Sequence, residues 1–248
     1  MLKILSIGNS FSQDAHRYLY GVAKQNGSDF KTVNLYIGGC SLRMHYLNII
    51  DNKADYSFEF NGKSTGLKVS IDQALASDDW DVITLQQVSF ASIKYETYTP
   101  YLEFIYDHIK KYCPKAKVYI HQTWAYEDGS DKLKNNTKKN NEGEGYLYAK
   151  DMLEDIKRSY AAAANAIAAD GIIPCGQAMF NATQMGTYKV HRDSFHASFG
   201  VGRYILALTW YKALTGKDIT KDSFSELDRP VSAQEREIAI KAVNAAFE

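Results

Sequence analysis

Cysteine is scarce in this 248-residue chain: Cys40, Cys113 and Cys175 are three in number, widely spaced, and form no Cys-x-x-Cys pair. So small and odd a set argues against a disulfide framework and against a cysteine-rich zinc site. An excess of charge of one sign is also missing. Lys plus Arg and Asp plus Glu each number 29, so the balance favours neither nucleic acid nor an anionic membrane as partner. The polar, basic run from Lys132 to Asn141 is a local exception and reads as a solvated loop. No apolar run approaches the roughly 20 residues of a membrane span, and no charged-then-apolar leader precedes Leu2. These absences predict a soluble, cytoplasmic protein. A Pro/Gly/Ser-rich linker is lacking too, and the length suits one domain over residues 1–248.

What the chain does have is apolar material, 45% of its residues, enough for a sizeable core. Short apolar runs alternate with amphipathic stretches, the pattern of a parallel sheet flanked by helices. Buried strands are predicted over Lys3–Ile7, Thr32–Ile37, Asp81–Leu85, Val118–His121 and Gly171–Pro174. Helices are predicted over Gln13–Gln25, Leu42–Ile50, Thr99–Tyr112, Tyr146–Ala169, Cys175–Met185 and Ser198–Leu214. A last helix is announced by the capping box Ser232 and Glu235 and runs to about Phe247. Between the second and third strands, Tyr56–Phe60 and Leu67–Ile71 alternate around Asn61–Gly66 and read as an inserted β-hairpin near 55–71. The polar stretch Glu127–Gly145 is too long for a plain connection and reads as a candidate lid loop. Five strands in βα alternation suggest a doubly wound α/β sheet, with ligands beyond the carboxyl ends of its strands.

The polar turns fall at those ends. Gly8-Asn9-Ser10 stands where the first strand runs into the first helix, so the Ser10 hydroxyl lies near unpaired N–H groups and the positive end of the helix dipole. Such a place favours negative charge developing on an oxygen, and a nucleophilic serine suits it. The alternative is that Ser10 merely caps the helix. Gly38-Gly39-Cys40-Ser41 follows the second strand, where paired glycines permit close backbone approach to a ligand; a plain tight turn is the other reading. In Asp193-Ser194-Phe195-His196 an acid precedes a histidine by three residues. A serine hydroxyl needs a base to take its proton, and an acid on the second ring nitrogen fixes the tautomer. Asp-x-x-His also occurs as a capping or surface pair. His191 competes with His196 for the part of base. His16, His45 and His108 lie on predicted helices and read as structural, while His121, at the end of the fourth strand, is a candidate substrate contact. The 18 tyrosines and Trp124 would suit a sugar-lined cleft, although packing explains most such residues.

Four short blocks, in this order, resemble the SGNH, or GDSL-type, hydrolase superfamily from Ile4 to about Tyr204. Gly8-Asn9-Ser10-Phe11 resembles its first block, usually Gly-Asp-Ser, with Asn9 in place of the aspartate. Gly39-Cys40-Ser41 resembles the second, and Asp193-Ser194-Phe195-His196 the fifth. The third block, normally Gly-x-Asn, reads Leu85-Gln86-Gln87-Val88, and a branch with Gly-Asn-Ser-Phe and Leu-Gln-Gln looks closest. The resemblance implies a flavodoxin-like α/β/α sandwich with a five-stranded parallel sheet and a small inserted hairpin. It also implies a triad of Ser10, His196 and Asp193, with an oxyanion hole from the N–H groups of Ser10 and Gly39 and the amide of Gln86 or Gln87. Asn9, Trp124 and His121 are the expected substrate contacts.

The expected activity is ester hydrolysis by acyl transfer, on a small-molecule or carbohydrate ester bearing acetyl or another small acyl group. No metal or organic cofactor is called for. A lysophospholipase or thioesterase acting on longer chains is the second enzyme reading. A non-catalytic carbohydrate- or nucleotide-binding module is the third, although neither GxGxxG nor GxxxxGK[ST] occurs.

Overall fold

In the computed structural model, which describes residues 1–136, 145–187 and 189–248, the centre of the molecule is a mixed sheet. Its strands are β1 (Leu2–Gly8), β2 (Phe30–Tyr36), β3 (Tyr56–Phe60), β4 (Lys63–Val69), β5 (Val82–Leu85), β6 (Lys117–His121) and β7 (Gly171–Ile173), in the spatial order β4-β3-β2-β1-β5-β6-β7. Strands β2, β1, β5, β6 and β7 run parallel, while β3 joins β2 antiparallel and β4 joins β3. Among the described residues the sheet therefore has seven strands and not the five expected. The hairpin is hydrogen-bonded along the free edge of β2, so it extends the sheet instead of standing off it. Its turn is the pair Asn61-Gly62, with φ of 48° and 74°, a primed turn that matches strand twist. Strand β4 accordingly starts at Lys63, four residues earlier than the alternation suggests.

The parallel strands are mostly apolar because both faces are covered. Across one face, Val33, Leu5, Ile83 and Val118 align in register, and so do Leu35, Ile7, Leu85 and Ile120. These rows pack beneath α2 (Leu42–Ile50), α3 (Ile71–Leu75), α4 (Tyr101–Tyr112) and α6 (Ala149–Ala166). The opposite face carries α1 (Ser10–Gln25), α7 (Cys175–Gln184), α8 (Val201–Thr215) and α9 (Ala233–Asn244). Helix α8 is buried almost all round, the signature of a helix inside a core, and α1 lies against it.

Under α1 the sheet is polar in the middle. Ser6 Oγ meets Thr84 Oγ1 at 2.7 Å and His16 Nε2 at 2.6 Å, so a histidine of α1 is seated on the strands. Helix α3 was not expected; it starts at a Ser70–Gln73 capping box. Helix α6 begins at Ala149, three residues after Tyr146. Helix α8 begins at Val201, behind Gly200, where the sequence suggested Ser198. Part of the candidate lid forms a turn and the short helix α5 (Asp131–Asn136); its residues 137–144 lie outside the described residues.

Candidate active site

Strand order reverses at β1, whose two neighbours, β2 and β5, are reached by crossovers on opposite faces, so a crevice opens beyond its carboxyl end. Ser10 stands at its mouth. The side chain that caps α1 is Asn9, which accepts the Phe11 N–H at 3.0 Å, and Ser10 is the first helical residue. The serine hydroxyl is thus released from capping. Gly8 is required by space: a Cβ there would come 2.2 Å from Ser12 Oγ and 3.3 Å from Gln86 Oε1.

The partner of Ser10 arrives from residue 196. His196 does not open a helix; it lies in a tight turn closed by the His191–Ala197 bridge, an Arg192 N–H to His196 O bond of 3.0 Å and a Ser198 N–H to Val190 O bond of 2.7 Å. Ser194 takes φ 71° at its tip. This turn sets His196 Nε2 2.8 Å from Ser10 Oγ, and His196 Nδ1 2.8 Å from Asp193 Oδ2. Asp193 Oδ1 also accepts the His196 backbone N–H at 2.9 Å, which locks Asp193 and His196 as one unit. Partial burial pushes the Asp193 carboxyl up. The His196 hydrogen bonds and the Arg192 charge outweigh it and hold the carboxyl below its usual value.

The turn is fastened from outside. Trp124 Nε1 donates to Phe195 O at 2.7 Å, and the Glu127 N–H donates to Ser194 O at 2.8 Å. The Trp124 ring stacks on Phe11 with centroids 4.0 Å apart, and Lys132 Nζ lies 4.1 Å from the Phe195 ring centroid. The described part of the expected lid therefore supports the 192–197 turn.

Of the expected oxyanion donors, Gly39 is exposed with φ 65°. Its turn is tied to the Ser10 turn because Asn9 Nδ2 donates to Cys40 O at 3.0 Å. The two glutamines separate. Gln87 is spent on the scaffold: its Oε1 accepts the N–H groups of Leu42 and Val88, and its Nε2 donates to Thr97 O. Gln86 faces the site from below, donating to Asn9 Oδ1 at 2.6 Å while its Oε1 meets His121 Nδ1 at 2.7 Å.

His121 and Trp124, expected to touch substrate, are 0% and 1% exposed and sit beneath the site as supports. Burial, with the nearby His16 ring a smaller cause, holds the His121 pKa down at about 3. His191 turns away from Ser10 to meet Ala125 O at 3.1 Å. It lines, with Trp124, Met179 and Phe180, a cavity of about 280 Å³ whose lining includes neither Ser10 nor His196. Among the described residues, no group of three or more His, Cys, Asp or Glu is placed to hold a metal ion, and no helix is long and apolar enough to cross a membrane.

Sequence reasoning missed Asp14, Arg192 and Arg203. The Asp14 carboxylate is fully buried and paired with both guanidiniums. The available signal was an acid among the apolar positions of α1, one turn beyond Ser10.

A GDSL-like α/β/α fold with a serine, a histidine and an aspartate in line at the end of β1 is the class of protein these features define. The chain belongs to the family described as a domain of unknown function, DUF4886, which residues 3–247 match. It is similar to a DUF4886 family protein from Bacteroides uniformis whose crystal structure superposes with a TM-score of 0.90 at 32% identity, covering 99% of this chain and 94% of that one. More distant likenesses are to a protein described as a GDSL-like lipase from Parabacteroides merdae (TM-score 0.57, 14% identity, 87% and 95% covered). A member of the lipolytic G-D-S-L family from Veillonella parvula is similar too (TM-score 0.51, 14% identity, 87% and 98% covered). None of the curated proteins compared with the chain matches it.

Proposed function

We propose that the chain is a serine ester hydrolase working by acyl transfer. The observation that carries this reading is the line Ser10 Oγ, His196 Nε2, His196 Nδ1, Asp193 Oδ2, with both contacts 2.8 Å long. In this reading Ser10 attacks the ester carbonyl as His196 removes its proton. Asp193 holds the ring in the tautomer that accepts at Nε2 and steadies the imidazolium. The tetrahedral oxyanion is held by the N–H groups of Ser10 and Gly39, with the second amide hydrogen of Gln86 as the remaining donor. His196 then returns the proton to the departing alcohol, and water releases the acyl group by the same path.

The substrate in this reading is an acetyl or other small acyl ester on a carbohydrate. Two features support a short acyl group: the aromatic packing of Phe11 and Phe195 beside His196, and the displacement of the 280 Å³ cavity away from Ser10. The test is turnover of aryl acetate, butyrate and octanoate and of acetylated oligosaccharides by wild type and Ser10→Ala. Acetyl esters are expected to be fastest, and Ser10→Ala to lose roughly 10⁴–10⁶-fold in kcat. Unchanged turnover in Ser10→Ala refutes the reading. Preference for octanoate moves it to a long-chain acyl hydrolase, and oligosaccharide binding without turnover moves it to a binding module.

A further inference from the structure

Ser10 and Asp14 are four residues apart on α1 and therefore share a face. Ser10 meets the 192–197 turn through His196. Asp14 meets the same turn at both its ends: its Oδ1 and Oδ2 accept Arg192 Nη1 at 3.0 and 2.8 Å, and Oδ2 accepts the Ala197 N–H at 3.2 Å. Arg192 Nη1 also donates to Ala197 O, which draws the two ends of the turn together. On its other side, Arg192 Nε lies 3.9 Å from Asp193 Oδ2. A second guanidinium, Arg203 Nε at 2.8 Å from Asp14 Oδ1, ties α8 to the same carboxylate and passes on to Asp228 at 2.7 Å. A 0% exposed carboxylate is an expensive way to join a loop to a helix, since apolar packing of similar volume holds as well. What a buried, multiply bonded carboxylate provides is a fixed geometry, and a misplacement of about 1 Å is enough to cost ~10²-fold in catalysis.

We propose that Asp14 is a positioning residue whose buried carboxylate grips the 192–197 turn at both ends and so sets the separation of His196 Nε2 from Ser10 Oγ. Arg192 is its counterpart on the turn. The proposal rests on the reading of Ser10, His196 and Asp193 as a triad, but the clamp itself is measurable without catalysis.

The experiment compares full-length wild type, Asp14→Asn, Arg192→Lys and, as a control for stability alone, Asp228→Asn, which breaks the ion pairs of Arg17 and Arg203 without touching the turn. Aryl acetate kinetics, the rate of Ser10 labelling by a fluorophosphonate probe, thermal unfolding and amide exchange at 192–197 are followed in each. In Asp14→Asn and Arg192→Lys, kcat and the labelling rate are expected to fall ~10- to 100-fold with KM within about twofold, and amide exchange at Ala197 is expected to rise at least ~10-fold. Asp228→Asn is expected to lower the unfolding temperature with kcat, labelling and Ala197 exchange within about threefold of wild type. Wild-type kcat and labelling in folded Arg192→Lys and Asp14→Asn would overturn the inference. So would unchanged Ala197 exchange, even if no variant were active. Raised exchange in a protein whose wild-type Ser10 is inert would sink the hydrolase reading and leave the clamp standing.

Discussion

Gln86 donates its side-chain amide to Asn9 Oδ1 across 2.6 Å, and that oxygen also receives the Phe11 N–H at 3.0 Å. The other end of Asn9 donates to Cys40 O. One buried amide thus holds together the Ser10 turn, the glycine turn and the end of β5, using donor and acceptor ends at once. An aspartate, the usual residue of the GDSL block, would set a carboxylate oxygen against the Cys40 carbonyl. Asn9→Asp is expected to cost ~1–3 kcal/mol, seen as a lowered urea midpoint at unchanged slope.

The two glutamines at the end of β5 are expected to part company on substitution. Gln87→Ala strips partners from Leu42, Val88 and Thr97 and should cost ~1–3 kcal/mol of stability. Gln86→Ala removes the donor beneath Asn9 and, if its second hydrogen serves the oxyanion, should lower kcat by ~10²–10³-fold. Denaturation and steady-state kinetics on the two variants separate these effects.

Only one histidine of the 191–196 segment reaches Ser10. His196→Ala should lose ~10⁴-fold or more in kcat, while His191→Ala should stay within about tenfold, because its Nε2 meets the Ala125 carbonyl of the segment after β6 and not Ser10. Equal losses would mean that the turn reorganises.

Acid should unfold the protein early. Burial holds His16, His45 and His121 at pKa values of about 3, below the ordinary 6.5. With folded values below unfolded ones, the unfolded chain binds more protons between about pH 3 and 6.5, so stability falls as pH drops through that window. Each group should cost roughly 2 kcal/mol by pH 5 relative to neutral pH. Urea midpoints at pH 7 and pH 5 measure the sum, and His45→Gln should reduce the dependence by about one proton.

Gly8→Ala should damage the site although its backbone tolerates a side chain. The added Cβ meets Ser12, which is buried and bonded to Asn9 O at 2.9 Å and cannot swing away. A loss of ~1–3 kcal/mol is expected from overpacking, measurable by thermal unfolding.

The parallel strands were legible because the strands of a covered sheet carry short apolar runs, and β1, β2 and β5 keep theirs on the face beneath α2–α4 and α6 even where Ser6, Thr32, Asn34 and Thr84 face the other way. The hairpin was legible as a hairpin, but its docking on β2 was not, since an edge pairs through backbone groups that no side-chain pattern reports. Ser10, His196 and Asp193 could be paired only by their resemblance to separated blocks; 185 residues of chain lie between the first two. The assignment of capping to Asn9 was hidden because serine and asparagine are equally good caps, and only geometry chooses. Gln86 and Gln87 looked alike because they carry the same side chain, and only the backbone geometry after β5 sends one to Asn9 and the other to Leu42 and Thr97. Asp14, Arg192 and Arg203 come from α1, the turn and α8, and ion pairs between such distant segments leave no local pattern.

Because Ser10 lies in the first helix and His196 in a turn that follows β7, no partial chain that stops before residue 196 holds both groups. A growing polypeptide carries a bare helix start until α8 has docked and the turn has closed. Acyl transfer on this scaffold would begin only with the completed molecule, so its onset would report the end of folding.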